Sequence, residues 1–134
     1  MRRTAIAFVP PNVPVDNNWP VVIDTNEEWY FKVDAGTVLG SLADETPSDP
    51  TDAQPEEIDI AMTVDRIERA TTMQIKRIQR SWAGLRSFVG DRSTVCGYDP
   101  NVEGLFWCAG QGGYGIQTSY GMGRSTAALA TGKG

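Results

Sequence analysis

The sequence predicts an α+β fold: a mostly antiparallel sheet, one helix packed on it, and a C-terminal helix that follows a glycine-rich loop. Three observations carry this reading. Short β-branched and aromatic runs follow one another across brief turn segments, the pattern of hairpins and meanders. One segment after an acidic loop repeats its apolar residues at helical spacing. A cluster of glycines separates the last strand from a final small-residue stretch. The 134-residue length fits about one domain.

Thr4–Pro10 reads as a strand closed by the Pro10-Pro11 pair. Pro20–Thr25 and Glu28–Val33 flank a polar turn centred on Asn26 and form a hairpin signal, and Thr37–Leu42 follows the Asp34-Ala35-Gly36 turn. These three runs predict a meander with one face covered. The stretch 43–57 holds six acids, three prolines and no basic residue, and is expected to be a solvated surface loop. A helix follows, with Pro55 in its first turn, Glu56 and Glu57 at its positive start, and Arg66 and Arg69 towards its end. Ile60, Val64 and Ile67 form its apolar stripe, widened by Ala61. Met73–Val89 is expected to be extended, with Gly84 allowing a bend or bulge. Ser93–Tyr98 and Leu105–Ala109 are two further strands joined by the turn-rich 99–104 segment, and Gly115–Ala130 is expected to be helical. Its small residues Gly115, Ser119, Gly123 and Ala127 fall along one side.

Composition removes several function classes. The chain has two cysteines, Cys96 and Cys108, and no histidine, which excludes histidine-based triads and most transition-metal ligand sets; no metal site is expected. Residues 1–72 carry 14 acidic and 5 basic side chains, residues 73–134 carry 3 acidic and 7 basic, and the net charge is −5. That balance argues against a nucleic-acid binder; the basic second part either holds a small anion or, the reading composition alone favours, merely forms one mixed surface with the first. No apolar run is long enough for a membrane span and the N-terminal residues lack the pattern of a signal peptide, so a cytoplasmic protein with free thiols is the expectation.

Strand alternation through Trp82, Gly84, Arg86 and Phe88 would put an arginine among aromatic neighbours on one face. Either a carboxylate of the protein satisfies that guanidinium, or the place is held for a ligand carboxylate gripped by two parallel hydrogen bonds. Tyr30 shares the polar face of its strand with Glu28 and Lys32, opposite Trp29, Phe31 and Val33; it is a surface tyrosine or part of the same site. The run Gly110-x-Gly112-Gly113-x-Gly115 is a tight strand-to-helix connection, or a place where backbone N–H groups and a positive helix start meet a ligand. Its spacing is not GxGxxG, and no acidic ribose partner follows.

RSWAGLRSF (80–88) together with GLFWCAGQGGYGIQTSYGMGR (104–124) resembles the C-terminal portion of the D-amino-acid oxidase superfamily of FAD-dependent oxidoreductases, and within it D-arginine-dehydrogenase-like and glycine-oxidase-like enzymes. The stretch 24–57 resembles the substrate-domain meander of the same enzymes. The resemblance implies a two-domain enzyme whose N-terminal Rossmann-type half holds the FAD adenosine and pyrophosphate. No strand-GxGxxG-helix unit stands in residues 1–134, so the whole chain reads as the C-terminal, substrate-binding and flavin-covering part of such an enzyme.

By the same resemblance Arg86 clamps a substrate α-carboxylate, Tyr30 assists it, and Arg3 lies where another carboxylate-side arginine can stand. Gly113 and Gln117 would border the substrate, and Gly112, Gly113, Tyr114, Gly115, Ile116 and Gln117 would face the flavin pyrimidine edge. The implied reaction passes a hydride from a D-amino acid or glycine-like amine to the flavin and yields a 2-oxo acid; no catalytic side chain is expected in this region. A small amino acid is the implied substrate, and a separately encoded FAD-binding half or a second copy the implied partner. The alternative is a non-catalytic binding remnant of the fold without cofactor.

Overall fold

The computed structural model describes residues 1–132. These form two compact units, Met1–Leu85 and a second that starts at Arg86. The first unit contains β1 (Arg2–Phe8), β2 (Val22–Ile23), β3 (Tyr30–Asp34), β4 (Thr37–Ser41), α1 (Glu57–Ala70) and β5 (Ile78–Leu85). Its five strands run in the order β2-β3-β4-β1-β5, and every neighbouring pair is antiparallel. The expected α+β class with a mostly antiparallel sheet is the observed one.

The β2-β3-β4 meander follows the sequence signals. Asp24 caps the first turn by accepting the backbone N–H groups of Asn26 and Glu28. The β3–β4 turn has Ala35 at φ 48° and Gly36 at φ 78°, the doubly left-handed pattern of a type I′ hairpin. The meander then pairs with β1 through β4 and leaves β5 on the far side of β1, a long-range arrangement that local patterns do not specify.

Register assigns the two sheet faces. Ile6, Gly40 and Phe31 lie side by side, as do Phe8, Val38 and Val33, and this face meets α1. Ile67 of α1 joins Ile6, Phe8, Phe31, Val38 and Met73 in the core, with Ile60 and Val64 packed against it. A side chain of that size contributes roughly 1.5–3 kcal/mol when fully buried, so these few residues dominate the stability of the unit. Gly40 lets the helix come close: a Cβ there would stand 2.5 Å from Ile67 Cδ1. Pro55 precedes the N-cap residue Glu56 and lies outside the first turn, and Thr71 closes the helix by directing its N–H and hydroxyl to the Ile67 carbonyl.

The expected extended run Met73–Val89 is strand only over Ile78–Leu85. Leu85 pairs with Arg2, the first residue of β1, so the strand stops where its partner does. Arg86 and Phe88 therefore leave the sheet and do not continue the face of Trp82. The register irregularity of this pair falls between Ala7 and Phe8, not at Gly84. The arginine over the Trp82 ring is Arg80, at 5.0 Å from the ring centre.

The second unit holds β6 (Val95–Tyr98), β7 (Phe106–Ala109) and α2 (Gly115–Thr131). Asp99 organises the hairpin turn by accepting the N–H groups of Asn101 and Val102 and the Trp107 indole N–H at 2.8 Å. These bonds hold its carboxyl below the usual range, the indole first among them. Tyr98 meets Phe106 edge to face and donates to the Ala130 carbonyl near the end of α2. No described residue of α2 is buried. Among the described residues, no helix is long and apolar enough to cross a membrane.

Candidate functional site

The predicted site residues divide between the two units. In the first, Tyr30 is level with Ser41, Ser41 with Ala5, and Ala5 with Trp82, all on the sheet face opposite α1. Arg3 lies two residues before Ala5 and shares that face. The backbone thus gathers Arg3 and Tyr30 on one side of the sheet, with Lys32, Arg80 and Trp82 on the same side.

Arg3 is bound into its own unit. Nε donates to the Asp44 carbonyl at 3.1 Å, and one terminal nitrogen reaches the Ala43 carbonyl at 3.3 Å and the Glu45 carboxylate at 3.2 Å. The first residues of the acidic stretch are therefore half-buried against β1, while the later residues meet solvent as the composition predicts. Asp44 also receives the Thr4 N–H at 2.8 Å. Burial pushes the Asp44 carboxyl up, the Thr4 amide pulls it down, and the charge of Asp59 adds to the upward shift.

A buried polar cluster beside this edge has no counterpart among the predicted site residues. Arg2 donates to Asp59 at 2.9 Å and to Glu56, and the Thr4 hydroxyl donates to the same Asp59 oxygen at 3.1 Å. Asp59 is almost fully enclosed, and Thr63 closes on its carbonyl at 2.7 Å. The bond to Glu56 holds the Arg2 guanidinium more firmly protonated and lowers the Glu56 carboxyl. The signal was present in the sequence, since Asp59, Thr63 and Ile67 follow one another at four-residue spacing on the inward face of α1. Between α1 and the Glu28–Trp29 segment lies a cleft of about 550 Å³. Its arginines already hold carboxylates, Arg66 with Glu28 and Arg69 with Asp65, and none of the predicted site residues lines it.

In the second unit the two separate sequence motifs meet. The Arg86 side chain lies against Gly113, where an added Cβ would be 3.5 Å from Nε and 3.6 Å from Cδ. Gly112 donates its N–H to the Ser87 carbonyl at 3.0 Å, and its own Cβ position is filled by the Phe88 ring, 2.7 Å away. Gly110, Gly112 and Gly113 all have positive φ, Gly113 at 137°, so the turn depends on glycine. Arg86 is exposed, as are Gly113, Tyr114, Ile116 and Gln117.

The amides of this turn have different roles. Those of Gly112, Gly113 and Tyr114 are spent on Ser87 and Gln111. The N–H groups of Gly115, Ile116 and Gln117 open the first turn of a 17-residue helix, and among the described residues they bond no backbone carbonyl. They point towards the positive end of the helix dipole. The turn thus offers three amide donors, a glycine surface without side chains, and a guanidinium alongside: features that suit an electron-rich planar ring edge or a carboxylate. An FAD pyrimidine edge fits these groups; its pyrophosphate and adenosine find no strand-GxGxxG-helix unit among the described residues, whose strand pairs are all antiparallel.

Known proteins share the family and the fold. Residues 1–129 match the DAO family, described as FAD dependent oxidoreductase. Among solved structures, glycine oxidase from Geobacillus kaustophilus superposes with a TM-score of 0.76 at 22% identity, over 99% of this chain and 35% of that one. Iminodiacetate oxidase from Chelativorans sp. BNC1 gives 0.73 at 18% identity, over 99% and 36%. Glycine oxidase from Bacillus cereus ATCC 14579 gives 0.68 at 20%, over 98% and 36%. The fold is shared, and the chain spans about a third of the length of these proteins.

Proposed function

Because this chain belongs to the DAO family of FAD dependent oxidoreductases, we propose that it is the substrate-binding and flavin-covering part of an amine-oxidising flavoenzyme acting on a D-amino acid or a glycine-like amine. The observation that carries the proposal is the contact between Arg86 and Gly113, beside the open amides of Gly115, Ile116 and Gln117. A guanidinium that binds a carboxylate through two parallel hydrogen bonds fixes both the position and the plane of a small amino acid. Gly113 shapes the turn through its backbone, because its φ of 137° is one that L side chains rarely adopt, and the Arg86 side chain rests on it at van der Waals distance.

Within the second unit, Arg86 would hold the substrate carboxylate and Gln117 would border the amine. Within the first unit, Tyr30 and Arg3 would present a carboxylate-binding sheet face of their own, Arg3 by exchanging its ion pair with Glu45. The amides of Gly115 to Gln117 would face the FAD pyrimidine edge and stabilise the negative charge that appears there, while Gly112, Gly113 and Tyr114 shape the turn. Bound FAD supplies the redox chemistry by accepting a hydride from the carbon that bears the amine. This chain would contribute orientation and electrostatics, and no general base is assigned among its described residues. The glycine and iminodiacetate oxidases it resembles in fold support a small amino-acid substrate, and their greater length supports a flavin-holding partner outside these residues.

The absorption spectrum tests the proposal. The purified chain is expected to be colourless; with the flavin-holding portion of a family member supplied on a second polypeptide, the pair is expected to retain FAD and to be bleached by a small amino acid. A yellow, stoichiometrically loaded isolated chain, or a pair that holds FAD and is bleached by no amino acid or secondary amine, would contradict it.

A further inference from the structure

Cys96 and Cys108 have no place in the function proposed above, yet the fold aligns them. They are directly opposed residues in the antiparallel β6–β7 pair. Opposed residues in such a pair have Cα atoms about 4.5 or 5.5 Å apart, according to the hydrogen-bonding position, and both values fall in the ~4.4–6.8 Å range that a disulfide spans. Their side chains point to the same face, where α2 passes, and a single oxygen meets both sulfurs. Thr126 Oγ1 lies 3.2 Å from Cys96 Sγ and donates to Cys108 Sγ at 3.5 Å. A second donor, Gln111 Nε2, reaches Cys108 Sγ at 3.8 Å. Cys108 is exposed and Cys96 is half-buried, and both are free thiols.

We propose that Cys96 and Cys108 form a redox-active dithiol that peroxide closes to an intramolecular disulfide. Exposed Cys108, which already accepts two hydrogen bonds at sulfur, meets the oxidant first. Its thiolate attacks one peroxide oxygen, the O–O bond breaks, water leaves after protonation, and a sulfenic acid remains. The Cys96 thiolate, held on the opposing strand, then attacks that sulfur, and the S–O bond breaks with loss of a second water. Two thiols and one hydrogen peroxide become one disulfide and two waters; the sulfurs surrender two electrons and the peroxide takes them.

Closure has a structural consequence. The disulfide has no S–H to offer Thr126 and is a weak acceptor, so the polar tie between the hairpin and the middle of α2 is lost on oxidation. The same helix begins at the glycine turn, and Gln111 of that turn donates both to the Cys108 carbonyl, at 3.2 Å, and to its sulfur. The dithiol therefore links the redox state of the hairpin to the turn that precedes α2.

Peptide mapping under non-reducing conditions, after brief exposure of the purified chain to hydrogen peroxide, tests the proposal. The expected product is a Cys96–Cys108 cross-linked peptide with the whole chain lighter by two hydrogens, reversible by dithiothreitol, accompanied by faster amide exchange around Thr126. Phenylarsine oxide, which bridges paired thiols, is expected to bind one per chain and to lose that stoichiometric binding in both Cys96→Ser and Cys108→Ser. Thr126→Val is expected to keep the fold and to change the rate of closure. Cys108 advancing to a sulfinic acid while Cys96 stays reduced, or cross-links only between separate chains, would overturn it.

Discussion

Arg86 lies across Gly113, 3.5 Å from where a β-carbon of that residue would stand, although the two are far apart in sequence. The contact joins the end of the extended segment to the glycine turn that starts α2. It is the place where a cation, a bare backbone and a helix N-terminus coincide in the second unit.

The first prediction concerns that arginine in the reconstituted enzyme. Removing one side of a desolvated, hydrogen-bonded charge pair costs about 2–5 kcal/mol. Arg86→Leu is therefore expected to raise the apparent dissociation constant for the amino acid well over tenfold, since about 1.4 kcal/mol is a factor of ten, with FAD retention little changed. Arg86→Lys should restore part of the loss, because an ammonium lacks the planar fork. Substrate titration of the flavin spectrum measures both.

A second prediction tests the packing of α1 on the sheet. Gly40→Ala would set a methyl group 2.5 Å from Ile67 Cδ1 and is expected to destabilise the chain by about 1–3 kcal/mol. Ile67→Val removes that Cδ1. In a thermal double-mutant cycle the pair should cost clearly less than the sum of the single changes.

The β3–β4 turn supplies a stabilising change. Ala35 sits at φ 48°, where an L-residue is strained by roughly 1–2 kcal/mol and Asn is better tolerated. Ala35→Asn creates the Asn-Gly pair preferred in type I′ turns, and is expected to raise the denaturant midpoint with no change in slope.

Acid stability should depend on Asp99. Its carboxyl titrates below the ordinary 3.8 in the folded chain, because the Trp107 indole and the Asn101 amide donate to the ionised form. The associated stability is complete above the ordinary value and is lost as pH falls through the lower, folded one. Asp99→Asn is expected to flatten that part of the acid-unfolding curve followed by tryptophan fluorescence. Asp44 has the opposite sign: burial raises its folded value, so ionising it costs stability as pH climbs from 3.8 towards that value, and Asp44→Asn should reduce this loss.

Exposed apolar residues on α2 predict association. Ile116 and Tyr120, one helical turn apart, are 93% and 76% exposed. Light scattering is expected to show self-association of the isolated chain, relieved by Ile116→Glu together with Tyr120→Glu; a monodisperse wild-type monomer would count against an uncovered docking face.

Local signals made most elements legible. The Asp34–Thr37 turn, the Ile60–Ile67 stripe and the glycine run each declare themselves within a few residues. What could not be read locally was pairing at long range. Nothing near Arg2 announces that β1 lies between β4 and β5, and so nothing predicts that β5 ends at Leu85 and releases Arg86 from the sheet. Arg3 was read by resemblance as a ligand-facing arginine, and its bonds to residues 43–45 were hidden because they come from a loop whose composition suggests only solvent. The division of amides within the glycine turn was equally hidden, since it depends on Ser87 and Gln111 reaching particular N–H groups.

The most direct test of the central claim is a two-dimensional amide spectrum of the isolated chain titrated with FAD into the millimolar range. Weak, fast-exchange binding is expected, with shifts concentrated at Gly113, Gly115, Ile116, Gln117 and the Arg86 side-chain N–H. Shifts centred on the cleft beside α1, or none at all at millimolar FAD, would contradict it.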